Sequence, residues 1–583
     1  MKMKLRILIY SFVSVVFSFS ASGQNLDPTV EVNRAYEGKL MEVHKPALGM
    51  AVPDSLLRFD LDFEYSVFEN PYKGAYEFKP YAMELQPVAR GGENALFYLK
   101  AGAGYRLHPT LDIVWAPLAE GPFKVNVHAT NRSYIGAYRV MDDPQPEISD
   151  GPVEIGRKDN RSSYSDNYDV LSVAGVDGRY DWKNCAGYFD LAYYGLQQKD
   201  RLHKRAYNGL DAGLRFRSKD PESFLTYDLR ADYRLGSDRM RTTEERLREN
   251  VISVAADLGM ELFDENRMLF DFGVDVNSYS GCISAGATKF TIVPHYVFGY
   301  GPWSFDLGVR VAALVKVGTP DSLVYRTTPG QIVYPDVNVS YEVIQDMMKA
   351  YFKVGGGAAL NSYASLLSKN HHFDMNYGRG HWGLLDNTVE RVSATLGLKG
   401  KVGERLGYDF RMGYALYANE AFESIAVTGS RNGGELRYAP GIGYASCQKL
   451  FAALDWNWSN EYLRFDGSLL CSPWTGLDAP GMFAPAALAG DLAVAYNWNK
   501  RLYAGVDCQF STFRKGSVLY SDGFAQAAKV PGYADLGLNL EYKTSSSLSV
   551  WLRGGNLLDM TIQRNLLYAD DGIYFTAGVC LTL

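Results

Sequence analysis

The chain has 583 residues, 47% of them hydrophobic and 14% aromatic, with 57 Gly and 41 Tyr, and carries a formal net charge of −7 with both signs interspersed. That balance argues against a nucleic-acid partner, and beyond the first residues no run of about 18 apolar residues recurs, so membrane-spanning helices are excluded from the rest of the chain. The six cysteines are scattered without a C-x-x-C pair, which suits small apolar strand residues better than a metal or redox centre.

At the amino end, Lys2, Lys4 and Arg6 accompany an apolar run to Phe19, followed by Ser20, Ala21, Ser22 and Gly23. This is the layout of a secretory signal peptide over residues 1–23, and the run is too short and too rich in serine for a membrane anchor. No cysteine adjoins the expected cleavage point, so no lipid anchor is expected there.

Residues 24–94 differ in character from the rest of the chain. Pro28, Pro46, Pro53, Pro71, Pro80 and Pro87 interrupt regular pairing, and only Leu57, Phe59, Leu61, Phe63, Tyr65 and Val67 alternate with polar neighbours as a strand does. The segment is expected to be an amino-terminal extension lying in the periplasm or in a lumen.

From residue 95 onward an apolar period of two recurs. Met268, Phe270, Phe272, Val274 and Val276 alternate with polar or small residues. So do Trp303, Phe305, Leu307, Val309 and Val311, then Leu502, Ala504, Val506, Cys508 and Phe510, and then Ala534, Leu536, Leu538, Leu540 and Tyr542. The chain ends on the clearest case, with Ile573, Phe575, Ala577, Val579, Leu581 and Leu583 on one face. Short polar turns at 182–184, 218–223, 264–266, 300–302, 345–347, 403–405, 459–461, 497–500 and 544–547 separate longer stretches at 134–163, 238–250, 319–330, 363–387, 421–434, 473–485 and 515–532.

Short turns on one rim and long loops on the other define a transmembrane antiparallel β-barrel over 95–583, all-β, with the short rim periplasmic and outer-membrane lipid around it. Trp182, Tyr300, Trp303, Trp456, Trp458 and Trp498 near the short turns suit an interfacial girdle. The expected count is about 22 strands, with 436–458 forming one long strand or two. Pro294, Pro335 and Pro440 fall within strands and are expected to mark bulges.

Gly555-Asn556-Leu557-Leu558-Asp559, followed by a loop and the closing strand, resembles the end of the barrel of TonB-dependent receptors. The resemblance in strand rhythm spans about 96–583. It implies a receptor- or transport-type barrel in the cell outer membrane, with TonB and other envelope proteins as partners. Two departures stand out: residues 24–94 leave room only for a plug remnant, and the last residue is Leu583 rather than an aromatic. Within Asp27 to Val32, Thr29, Val30, Glu31 and Val32 are similar to a coupling box of that family. The resemblance therefore leaves two functions open: a plug-less receptor or scaffold for partner proteins, and active TonB-coupled uptake of a nutrient.

Other chemistry is thin. Gly378 to Gly383 fits G-x-G-x-x-G, but it neither follows a buried strand nor opens a helix, so it reads as a loop tip. His371, His372, Asp374 and His381 share a long loop and are the candidate metal ligands, although a solvated polar loop explains them as well. Asp142, Asp143, Glu147 and Asp150 form an acidic loop of the same kind. No nucleophile–base constellation or carboxylate pair stands in a supporting motif, so neither enzymatic activity nor a cofactor is expected.

Overall fold

The computed structural model describes residues 96–583 other than 106, 119–120, 141–151, 157–162, 200–203, 221–222, 241–245, 263–265, 318–324, 346, 374–384, 404, 429–436, 478 and 571. The expected signal peptide at 1–23, the extension expected at 24–94 and the candidate coupling-box residues Thr29, Val30, Glu31 and Val32 lie outside the described residues.

Period-two segments with one oily face become staves of a closed antiparallel barrel of 22 strands. In chain order these are β1 (Phe97–Tyr105), β2 (Thr110–Leu118), β3 (Phe123–Val140), β4 (Ser163–Asp181), β5 (Cys185–Lys199), β6 (Lys204–Ser218), β7 (Leu225–Met240) and β8 (Leu247–Glu261). They continue with β9 (Arg267–Gly281), β10 (Ala285–Tyr300), β11 (Trp303–Val317), β12 (Val333–Ile344), β13 (Met348–Leu360), β14 (Asn387–Val402), β15 (Leu406–Thr428) and β16 (Arg437–Ser459). The last six are β17 (Leu463–Cys471), β18 (Leu488–Trp498), β19 (Leu502–Ser511), β20 (Tyr533–Lys543), β21 (Leu548–Gly555) and β22 (Tyr574–Thr582).

The closing strand pairs with the first, from Tyr98 opposite Thr582 to Tyr105 opposite Phe575. Closure leaves no sheet edge in lipid, where an unpaired backbone would cost several kcal/mol per group. Trp551 packs across this seam, and a Cβ at Gly102 would sit 2.3 Å from its ring. Only glycine admits the indole there.

Residues directly opposite one another on antiparallel strands share a face. Leu538 lies opposite Val506, and Val506 opposite Val494, on the face where Val506 is 45% exposed. The next residue, Asn539, points inward and donates to Asp507 Oδ1 at 2.5 Å. The inner wall is lined with paired charges: Asp211–Arg234 at 2.6 Å, Asp275–Lys289 at 2.6 Å, Asp336–Arg310 at 2.6 Å, and His295 between Asp271 and Asp306 at 3.1 and 3.0 Å. Such a wall needs water or protein in front of it, never lipid. At the rim of short turns, Trp182 packs on Tyr180 at 4.4 Å and Trp303 on Tyr341 at 4.7 Å, and both tryptophans are exposed, as an interfacial girdle requires.

Several expectations need correction. None of the three prolines marks a bulge. Pro335 and Pro440 pair in unbroken register with Val309 and Ile425, and the β10–β11 ladder skips Val293 and Pro294 but resumes at His295 opposite Gly308 in the same register. Each strand residue donates to one neighbour only, so a proline removes a single bond without demanding an extra residue. The register shifts instead lie elsewhere, for example between Gly355 and Gly357 and between Tyr417 and Glu420.

The stretch expected as one strand or two is the single strand Arg437–Ser459, and β3 and β15 run on into stretches expected to be loops. β15 and β16 are each 23 residues long, roughly double the 9–11 that cross a bilayer, so this hairpin stands well above the membrane. On the same rim the connections 106–109, 200–203 and 282–284 are short, so the asymmetry between rims is looser than expected.

Candidate functional site at the outer mouth

Described residues of the long connections pack into apolar clusters at the mouth. The connection 361–386 carries a single-turn-plus helix, α1 (Tyr363–Lys369), capped by Ser362, whose side chain accepts from the Ser365 N–H at 3.1 Å. Tyr363, Leu366, Leu367 and Phe373 are each at most 2% exposed. They share one apolar cluster with Leu196, Tyr207, Leu247 and Tyr279 from one arc of the wall and with Ala421, Ile442 and Tyr444 from β15 and β16. A helix too short to be stable alone is thus held by packing on both sides of the mouth.

Its first anchor is Arg205, at the outer end of β6. The guanidinium pairs with Asp238 of β7 at 3.0 Å, donates to the His371 carbonyl at 2.5 Å, and donates to the Phe373 carbonyl. Asp238 also accepts from the Tyr363 hydroxyl. Glu249 of β8 receives the Tyr363 N–H at 2.6 Å and the Ala364 N–H at 3.2 Å, satisfying donors that a helix start leaves unpaired. Arg205, Asp238 and Glu249 are all buried, so these bonds form where an unpaired partner is costly.

The second anchor is on β15. Lys369 Nζ donates to Glu420 at 3.2 Å, and Asn370 Nδ2 donates to Glu423 at 2.7 Å. The Glu423 carboxylate also receives the Leu566 N–H at 3.3 Å and the Arg514 guanidinium. One carboxylate therefore ties α1 to the connections 512–532 and 556–573.

Those connections form a roof beside α1. Glu423 and Ser424 pair with Met482–Phe483, Phe483 with Gly516, Arg514–Leu519 with Ala525–Val530, and Ala528 with Val153. A Cβ at Gly516 would lie 2.4 Å from the Met482 carbonyl, so the approach requires glycine. Ile155, Ile425, Phe483, Val518, Val530 and Leu566 form the apolar core under this sheet.

Replacing Glu423 with alanine takes the carboxylate from Arg514, Asn370 and the Leu566 N–H at once, leaving Arg514 its bond to the Gln563 carbonyl at 3.2 Å, and hydrogen bonds to charged groups are worth about 1.5–3 kcal/mol each. We expect limited proteolysis of folded E423A to cut within 512–532 at least about tenfold faster than wild type, since about 1.4 kcal/mol is a tenfold change in the open population. Equal cutting rates would show that the carboxylate does not hold the roof.

Of the candidate metal ligands, Asp374 and His381 lie outside the described residues. His372 is committed to a parallel stack on Tyr568 with ring centres 3.4 Å apart, and its N–H donates to Asn370 Oδ1 at 2.9 Å. Burial holds the His371 imidazole below its ordinary pKa, and its carbonyl serves Arg205. Among the described residues no group of three or more His, Cys, Asp or Glu is arranged to hold a metal ion. Arg205, Glu249 and Glu423 were not legible as anchors, because each is a lone charge in an alternating strand and looks like any lumen-facing residue.

A closed barrel of 22 antiparallel strands with an oily outer face, short turns on one rim and folded loops on the other is an outer-membrane protein. Its fold is that of the barrel of TonB-dependent receptors. The siderophore receptor PirA from Acinetobacter baumannii matches with a TM-score of 0.55 and 11% identity over 84% of this chain and 80% of that one. The FrpB iron transporter from Neisseria meningitidis matches with a TM-score of 0.60 and 10% identity over 84% and 83%, and the copper transporter OprC with 0.57 and 11% over 84% and 83%. At this identity the likeness is one of fold. No family model and no curated protein sequence matches the chain.

Proposed function

We propose that the protein is a receptor-type barrel kept shut at its outer mouth, working as a plug-less receptor or as a membrane scaffold for partner proteins rather than as a passive pore. The observation that carries this reading is α1 and the residues just after it, held by Arg205 and Glu249 on one arc of the wall and by Glu420 and Glu423 on β15. A passive pore gains nothing from so many buried polar bonds at its entrance. In this reading residues 1–23 are removed on export, 24–94 are a plug remnant, and the protein is not an enzyme. The supporting experiment is purification of the native protein in mild detergent with identification of the proteins that accompany it; a stoichiometric envelope partner is expected, and isolation as a lone monomer under those conditions would count against the scaffold.

The second reading, active TonB-coupled uptake, is favoured by the likeness to siderophore, iron and copper receptors and transporters. It makes a separate demand on Thr29, Val30, Glu31 and Val32. A coupling segment that adds as a strand to its partner loses backbone donors when Val30 and Val32 become proline. For the scaffold we expect this double variant to leave growth and partner retention unchanged. Loss of uptake of any solute, with ligand binding intact, would instead establish coupled transport.

A further inference from the structure

We infer that a cavity in the outer mouth, between Lys316 and Arg326, binds a small organic anion with a polar body, of the sugar-acid or sugar-phosphate class. The inference rests on the receptor-type reading and gives its ligand a chemistry. The cavity has a volume of about 510 Å³ and lies between Lys316 at the outer end of β11, residues 326–329, the raised β15–β16 hairpin and Ala479. That is within the about 300–1,000 Å³ of small-molecule sites.

Two cations define it. Lys316 lies opposite Ala287, which is buried in the apolar cluster of the mouth, so the lysine shares the inward face. It is exposed there, and among the described residues no carboxylate pairs with it. The Arg326 side chain is 54% exposed, and among the described residues its one charged contact is at 3.7 Å, from its Nε to Asp386 Oδ2. Asp386 is itself fully enclosed and already accepts from the Thr328 N–H and hydroxyl and from the Asn387 N–H, each at 2.8 Å. Its charge shapes the connection and offsets Arg326 in part, while among the described residues no carboxylate offsets Lys316. The Arg326 backbone is also fixed in advance, its N–H donating to the Leu385 carbonyl at 2.8 Å. A ligand therefore meets a preorganised positive site, which lowers the ordering cost of binding.

The rest of the lining argues for a compact polar body. Its apolar parts are small, such as Pro329, Ala445 and Ala479, and its one ring belongs to Tyr444, whose hydroxyl is committed to the Asp386 carbonyl at 3.1 Å. A flat aromatic ligand finds no platform on which to stack. Asn419 and Ser446 supply polar surface beside the cations.

The test is calorimetric titration of the full chain in detergent with glucose 6-phosphate, glucuronate and neutral glucose. We expect both anions to bind, glucose to bind at least about tenfold more weakly, and the double variant Lys316→Ala/Arg326→Ala to lose at least about tenfold in affinity for the anions, as charge-assisted bonds of this strength imply. Lys401→Ala, on the opposite rim, should bind as wild type. Heat-modifiable migration of each variant establishes that it is folded. Equal affinity for glucose and the anions, unchanged binding by the folded double variant, or no binding of either anion up to about 10 mM would each overturn the assignment. Such a failure leaves the receptor-type reading standing if a partner still copurifies, and loss of the partner leaves the cavity's chemistry to be judged by titration alone.

Discussion

Arg205→Ala is expected to free α1 from the wall while leaving the barrel folded. The wild-type side chain is 2% exposed and its partner Asp238 1% exposed. The guanidinium serves the carboxylate, beside the Tyr363 hydroxyl, and the two carbonyls of His371 and Phe373. Removing one partner of a buried ion pair leaves the other charge uncompensated, at a cost of about 3–5 kcal/mol. The barrel ladders do not depend on this group, so the cost falls on the small unit that does: α1 and the residues just after it. The readout is hydrogen exchange at Leu366 and Asn370, whose amides donate to the Ser362 and Leu366 carbonyls, each at 3.1 Å. Exchange there should accelerate by about two orders of magnitude or more, while amides of β19 and β20 stay protected. Arg205→Lys should resemble alanine more than arginine, because an ammonium cannot reach three acceptors in a planar fork. Unchanged exchange in R205A would mean that apolar packing alone holds the helix.

Leu538→Arg should prevent most of the chain from reaching the folded, heat-modifiable form, whereas Asn539→Arg should be tolerated. Leu538 is the central residue of β20, level with Val506 and Val494 on the lipid face. An arginine at the bilayer midplane on that face costs about 2–4 kcal/mol. Asn539 faces the lumen beside Asp507, so an arginine there hydrates and gains a carboxylate. Comparison of folded yield on unheated gels checks both at once, and equal losses would mean that the two faces are assigned the wrong way round.

The barrel was legible because a wall between lipid and a wet lumen imposes one rule on every strand. Val506, Leu538 and Val579 repeat at the required period, and the intervening Asp507, Asn539 and Cys580 break it. The tight turns at 182–184 and 300–302 were legible because strands this apolar can reverse only through a short polar break. The strand count came from both. The mouth was not legible, for a physical reason. Tyr363, Leu366 and Leu367 stand at i, i+3 and i+4 but span too short a stretch to distinguish a helix, and they sit among Ser362, Ser365, Ser368 and Lys369, which read as loop. Their burial comes from partners over a hundred residues away, such as Arg205 and Glu249, and a single sequence does not reveal such pairings. The same holds for Lys316 and Arg326, which are unremarkable until residues 326–329 line one cavity with β15 and β16. The proline expectation failed for a different reason: a missing N–H was equated with an extra residue, and the ladders at Pro335 and Pro440 absorb the loss without one.

The central claim is that α1 and the roof shut the outer mouth, and conductance in planar bilayers tests it most directly. Wild-type protein should be nearly silent, and so should a chain lacking residues 24–93, because the closure lies in the loops. A chain that lacks 24–93 and also carries Arg205→Ala and Glu423→Ala should show frequent large openings, as expected of an unblocked lumen of 22 strands. Large openings from the 24–93 deletion alone, undiminished by intact anchors at Arg205 and Glu423, would contradict the account.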